Sequence, residues 1–158
     1  MTQTLLHNAR LIDPESGTDT LGALVIEDGR IAEILTENIK LSDFPAGKAI
    51  DCRGKCVAPG IVDIGVKICE PGERHKESFR SAGRAAVRGG ATTIVIRPDT
   101  DPTIDTPEMV RFQIERAEDD APVNVLPMAA LTKGRAGREM TEIGFLTDAG
   151  AVAFTDCD

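Results

Sequence analysis

Tryptophan and tyrosine are both missing from the 158 residues, and phenylalanine occurs only five times. Platforms for stacking on bases or sugars are therefore limited to Phe, His and Arg. There are four cysteines, Cys52, Cys56, Cys69 and Cys157. Nothing points to an oxidising compartment, so free thiols are expected. No Cys/His pair follows Cys52 and Cys56 at zinc-site spacing, and they read as strand packing rather than a metal site. Basic residues are outnumbered, 18 Lys and Arg against 26 Asp and Glu, for a net charge of −8. That excludes a nucleic-acid partner, which needs cations to meet phosphates. No apolar run approaches the ~20 residues needed to cross a bilayer. The opening Met1–Thr4 lacks a basic patch followed by an apolar run, so no secretory signal and a cytoplasmic location are expected.

What the chain does have is punctuation. Leu5 to Ile12 reads as a strand stopped by the turn cluster Asp13-Pro14-Glu15-Ser16-Gly17. Leu24–Ile26 and Ile31–Ile34 flank Glu27-Asp28-Gly29-Arg30, a hairpin signal because a type I′ turn needs positive φ at both central residues. A polar loop with Pro45 and Gly47 follows, then two short strands around Arg53-Gly54. From Val57 the pattern changes. Ile61–Ile68 is an apolar run broken by Asp63, Gly65 and Lys67. Ser78–Arg88 places Phe79, Ala82, Ala86 and Val87 at helical spacing and ends at Gly89-Gly90. Thr92–Ile96 is a β-branched strand. Thr106-Pro107-Glu108 starts a helix, with a capping hydroxyl and proline at the first position. Val110, Ile114 and Ala117 mark its inner face. Val123–Ala130 reads as a third strand, Glu139–Ala149 as a third helix and Ala151–Thr155 as a fourth strand.

Strand and helix alternating in this way imply right-handed βαβ units and a parallel sheet. Four units fall short of a complete (β/α)8 barrel, which takes roughly 250 residues. The expected fold is α/β. Residues 1–57 form a β-rich segment of a small sandwich, and residues 58–158 form the first four β/α units of an incomplete TIM-like barrel.

Chemistry in such a barrel gathers at the C-terminal ends of the strands. The stretches there are Lys67–Gly72, Arg97–Asp101, Leu131–Gly137 and Thr155–Asp158. Val57-Ala58-Pro59-Gly60-Ile61-Val62-Asp63 resembles the lead-in to the first barrel strand of cyclic amidohydrolases. Glu70-Pro71-Gly72 with Lys76-Glu77, Gly89-Gly90-Ala91-Thr92-Thr93, and Pro98, Thr100, Pro102, Asp105 and Thr106 are similar to successive stretches of dihydroorotases. So are Thr132-Lys133-Gly134, Gly137, Glu139, Thr141-Glu142-Ile143-Gly144, and Ala151–Asp156. The resemblance runs from about Leu5 to Asp156 and rests on the order of these motifs rather than on any one.

The resemblance implies an enzyme that interconverts dihydroorotate and carbamoyl-aspartate, using zinc held by a His-x-His pair at the end of the first strand. Residues two apart on a strand face the same way, so two imidazoles can grip one metal, and the metal makes hydroxide available. Here the pair is Gly65 and Lys67. Glycine offers no ligand, and a lysine ammonium repels one. The family's substrate-binding arginine is replaced by Cys69, and its asparagine by Asp99, which repels an anion where Asn would donate a hydrogen bond. Asp156 matches a family carboxylate expected near the metal, with Cys157 beside it.

Losses at both metal and substrate positions imply a non-catalytic member with no catalytic residue and no cofactor. Zinc-less dihydroorotase-like proteins of pyrimidine biosynthesis are known as partners of aspartate transcarbamoylase. An oligomer with that enzyme, or with an active dihydroorotase copy, is the implied assembly. The alternative is an active zinc-dependent dihydroorotase, or another cyclic amidohydrolase drawing ligands from elsewhere.

Lys67 has two readings: it pairs with Asp156 in the place of the metal, or it snorkels to solvent. Cys69 reads as an inert thiol, against a nucleophile helped by His75. His75 reads as a solvated surface residue rather than a stray ligand. His7 reads as structural, and Asp63, just before the ligand pair, as structural or as a support to that pair. Thr132–Gly137 lacks a Gly-Lys-Ser/Thr ending and reads as an active-site or contact loop rather than a phosphate cradle.

Overall fold

The computed structural model describes residues 3–36 and 47–157. It divides into two compact units, one running to Pro59 and the other starting at Gly60. The expected loop at Pro45 lies outside the described residues. Among the described residues no helix is long and apolar enough to cross a membrane.

The first unit is a mixed five-stranded sheet. Its strands are β1 (Gln3–Asp13), β2 (Thr18–Glu27), β3 (Arg30–Leu35), β4 (Lys48–Asp51) and β5 (Cys56–Val57). The order is β3-β2-β1-β4, with β5 also on β1. The β1–β2 and β2–β3 pairs are antiparallel, and β4 and β5 run parallel to β1. The β2–β3 turn has positive φ at both Asp28 (47°) and Gly29 (78°), as a type I′ hairpin requires. Successive side chains leave opposite faces of a strand. Leu5 thus clusters with Ala23 and Val25, while Ala9 and Leu11 cluster with Leu24. A bulge between Leu6 and Ala9 makes that switch. Asn8 sits in it at φ 57°, its amide donating to Asp51 Oδ1 at 3.1 Å. His7 stands opposite Asp51 in the β1–β4 register.

The second unit is a curled parallel sheet with helices on one face. It contains β6 (Ile61–Val66), α1 (Phe79–Gly89), β7 (Ala91–Ile96), α2 (Pro107–Asp120), β8 (Asn124–Ala129), α3 (Ile143–Asp148) and β9 (Ala153–Phe154). The strands lie in chain order, β6-β7-β8-β9, all parallel, as in half of a (β/α)8 barrel. The helices start where their caps stand. Ser78 accepts from Ser81 N and shares a capping box with it, and Gly90 closes α1 at φ 83°. Thr106 Oγ1 accepts from Met109 N at 3.4 Å ahead of Pro107. The core lies between sheet and helices and holds Phe79, Ile94, Ile96, Ile104, Val110 and Leu146, all at most 1% exposed. Each such side chain contributes roughly 1.5–3 kcal/mol on burial. On β6, Ile61, Val62 and Ile64 are exposed.

The fourth strand is shorter than expected, Ala153–Phe154 rather than Ala151–Thr155. The third helix spans only Ile143–Asp148, not Glu139–Ala149. Residues 139–141 fold back on the exit of β8 instead. Lys133 N donates to Glu139 O at 2.8 Å, Thr141 N donates to Leu131 O at 3.0 Å, and Thr141 Oγ1 donates to Ala130 O at 2.8 Å. The Glu139 carbonyl is thereby lost to a helix, in which it would accept from Ile143 N; that N–H donates instead to Thr141 O at 3.0 Å.

Candidate functional site

The C-terminal ends of β6 and β7 bring Lys67, Arg97 and Asp99 together. Lys67 follows the last residue of β6, and Arg97 follows β7 with its N–H donating to Val66 O at 2.9 Å. Lys67 Nζ lies 2.9 Å from Asp99 Oδ2. Arg97 Nη2 donates to the same oxygen at 3.0 Å. The Asp99 side chain is 5% exposed and that of Lys67 is 52% exposed. Burial pushes the Asp99 carboxyl up, but the Lys67 hydrogen bond and the two cations outweigh it and hold it below the usual carboxylate range. The Asp99 hydrogen bond in turn raises the Lys67 ammonium above its ordinary value. Charge on both groups is thus secured at neutral pH.

This corrects the expectation that Lys67 pairs with Asp156, and equally that it snorkels free. Asp156 is engaged elsewhere. Its Oδ1 accepts from Thr132 N and its Oδ2 from Thr132 Oγ1, both at 2.8 Å. The backbone bond from Thr132 is the main cause of its lowered pKa. Thr132 Oγ1 also accepts from Gly137 N at 2.9 Å, and Arg135 Nη1 donates to Asp156 O at 3.2 Å. Asp156 therefore fastens the loop at residues 132–137. That loop is a short 3-10 turn, Lys133–Arg135, with Gly134 N donating to Asp105 Oδ2 at 2.8 Å.

Gly65 departs from its expected geometry too. Its φ is +92°, and the β6–β7 register shifts between Ile64 and Val66. Gly65 and Lys67 are not alternate positions of a regular strand, and an L side chain at 65 would be strained. The space a Cβ would fill is open, with nothing within 4 Å, so the obstacle is the backbone alone.

The remaining candidates do not converge. Cys69 is buried, its carbonyl accepting from Glu73 N at 2.8 Å. His75 and Asp63 are exposed. Cys52, Cys56, Cys69 and Cys157 are free thiols. Among the described residues no three His, Cys, Asp or Glu side chains form a group able to hold a metal. Zinc, which the family resemblance implies, does not fit the Gly65 and Lys67 positions. One offers no atom, and the other places an ammonium on the nearest carboxylate.

Arg97 was not singled out from sequence. The available signal was its placement two residues before Asp99 at a strand end. Glu70 is a second such residue. It is buried, accepts from Phe79 N at the start of α1 (3.3 Å), and pairs with Arg116 (2.9 Å) and Arg74 (3.3 Å). Asp120 at the end of α2 joins Arg80 (2.8 Å) and Arg116 (2.6 Å). Together they tie the loop after β6 to both helices.

A model of the dihydro-orotase-like family matches residues 54–158. The chain belongs to that family. A dihydroorotase of Sulfurihydrogenibium sp. is 43% identical over 96% of this chain and 35% of the relative. A dihydroorotase-like protein of Pseudomonas putida is 41% identical over 98% of this chain and 35% of its own length. The chain thus spans about a third of the length of these curated relatives. Among solved structures, the L-hydantoinase (dihydropyrimidinase) of Arthrobacter aurescens superposes with a TM-score of 0.79 at 26% identity, over 98% of this chain and 32% of that one. A dihydroorotase structure at 15% identity and TM-score 0.60 shares the fold. The sheet and half-barrel described above are those of cyclic amidohydrolases.

Proposed function

We propose that this chain is part of a dihydroorotase-like protein of pyrimidine biosynthesis that does not itself turn over dihydroorotate. It acts in the cytoplasm as a zinc-less partner of aspartate transcarbamoylase, in an oligomer with that enzyme or with an active dihydroorotase copy. The observation that carries this reading is the Lys67–Asp99 pair, 2.9 Å apart, at a position where the sequence resemblance implies a metal ligand. A side chain that carries positive charge into the mouth opposes a dication there. The substrate positions point the same way. Cys69 is buried and offers no cation for a carboxylate. Asp99 presents a carboxylate already committed to Lys67 and Arg97. Four free cysteines accord with a reducing compartment.

The test has two arms. Purified full-length protein, never exposed to chelator, is assayed for zinc by elemental analysis and for turnover of dihydroorotate and carbamoyl-aspartate. It is also co-expressed with aspartate transcarbamoylase and analysed by size exclusion with light scattering. The expected results are substoichiometric zinc, no turnover above a no-enzyme control, and a stable complex. Turnover with stoichiometric zinc would establish the alternative, an active cyclic amidohydrolase. A protein that elutes alone would remove the partner.

A further inference from the structure

We propose that Asp99 is the carboxylate of a cation site in the mouth of the half-barrel, that Lys67 Nζ is its resident cation, and that the site persists as a receptor for a small primary ammonium ion when the lysine side chain is removed. The proposal rests on the non-catalytic reading of the mouth. A carboxylate buried to the extent of Asp99, 5% exposed, is costly unless paired. Arg97, anchored by its backbone after β7, satisfies part of that demand by donating to Oδ2. Lys67, half exposed, reaches the same oxygen, Oδ2, while Oδ1 is buried without a hydrogen-bond partner among the described residues. The position is open to solvent, because the Lys67 side chain that fills it is itself 52% exposed. Asp156 does not compete for the ion, since Thr132 holds both its oxygens. Glu73 and Cys69 lie within electrostatic range of Lys67, and Arg97 opposes it. An ion of charge one is therefore favoured over a dication, which would face Arg97 across the same carboxylate.

Lys67→Ala removes three methylenes and the ammonium, and propylammonium supplies the same atoms. Thermal melting of the full-length Lys67→Ala protein is followed with propylammonium chloride, and with tetramethylammonium chloride at matched ionic strength. The midpoint is expected to rise with propylammonium to a plateau as one-site binding requires, by roughly 2–4 °C, and not with tetramethylammonium, which cannot donate a hydrogen bond. Lys67→Ala/Asp99→Asn is expected not to respond, and Lys67→Ala/Asp156→Asn to respond like Lys67→Ala. Equal effects of the two salts, or a response that disappears with Asp156 instead of Asp99, would overturn the proposal. Should Lys67→Ala fail to fold, the unsubstituted protein with 13C-methylated lysines serves. The Lys67 methyl resonance is expected to shift in Asp99→Asn and to stay in place in Asp156→Asn, and the reverse overturns the site. Turnover of dihydroorotate by the unsubstituted chain would instead sink the non-catalytic reading, with the ammonium response still standing. The two failures are thereby distinguishable.

Discussion

Thr132 holds both oxygens of Asp156, one through its backbone N–H and one through its hydroxyl, each at 2.8 Å. The same hydroxyl accepts from Gly137 N. One buried threonine thus closes the loop at residues 132–137 onto the end of β9. Thr132→Val keeps the shape and removes the hydroxyl, leaving an Asp156 oxygen and the Gly137 N–H without that partner. The loop is expected to open more often while the helices stay protected. Hydrogen exchange would read this as faster amide exchange at Gly134–Gly137, with Val110–Ala117 unchanged. Uniform loss of protection across the unit would show that the threonine supports the whole fold rather than the loop.

Gly65 adopts a φ of +92° inside a strand whose register shifts beside it. Any L-residue there costs about 1–2 kcal/mol, the usual left-handed penalty. No packing term offsets the cost, because the space a Cβ would fill is empty. Gly65→Ala is expected to lower the denaturation free energy by that amount, measured by urea unfolding. The same strain opposes any attempt to rebuild a metal pair. Gly65→His/Lys67→His is expected to melt below Lys67→His alone in the absence of metal. A Gly65→Ala protein as stable as the parent would mean that the strand runs regularly through position 65.

Much of the fold was legible because its signals are local. Asp28-Gly29 specifies a turn by the φ values its residues tolerate, and Ser78, Gly90, Thr106 and Pro107 mark helix ends through bonds within one turn of chain. The start of α3 was not legible, because Glu139 and Thr141 bond to residues brought near only by folding. At the site, the absence of ligands at Gly65 and Lys67 could be read directly. The partner of Lys67 could not. Asp99 and Asp156 are both carboxylates at strand ends, and only the packing of β7 beside β6 puts Asp99 in reach. Gly65 read as a missing side chain, whereas in the structure its positive φ also changes the backbone. Arg97 went unnoticed because nothing about an arginine at a strand end shows that a carboxylate two residues on will turn toward it.

Titration gives an independent reading of the Lys67–Asp99 pair. The Asp99 carboxyl is held below the ordinary range, despite burial, by Lys67 and Arg97. A group whose folded pKa is depressed stabilises fully above its unfolded value, about 3.9 for aspartate, and loses that contribution as pH falls through the folded value. Lys67 is raised by the Asp99 hydrogen bond. Its contribution is whole below the unfolded lysine value, about 10.4, and is lost as pH rises through the folded value. The stability gap between the parent and Asp99→Asn is therefore expected to be widest across the neutral range. It narrows in acid below about pH 4 and again in alkali above about pH 10. Asp120 and Asp156 also carry lowered pKa values, so both proteins lose stability in acid. The difference between them isolates Asp99. Urea midpoints measured for both proteins across the two limbs decide the matter, and a gap of constant width from neutral pH into acid would show that Asp99 is not paired as an ion.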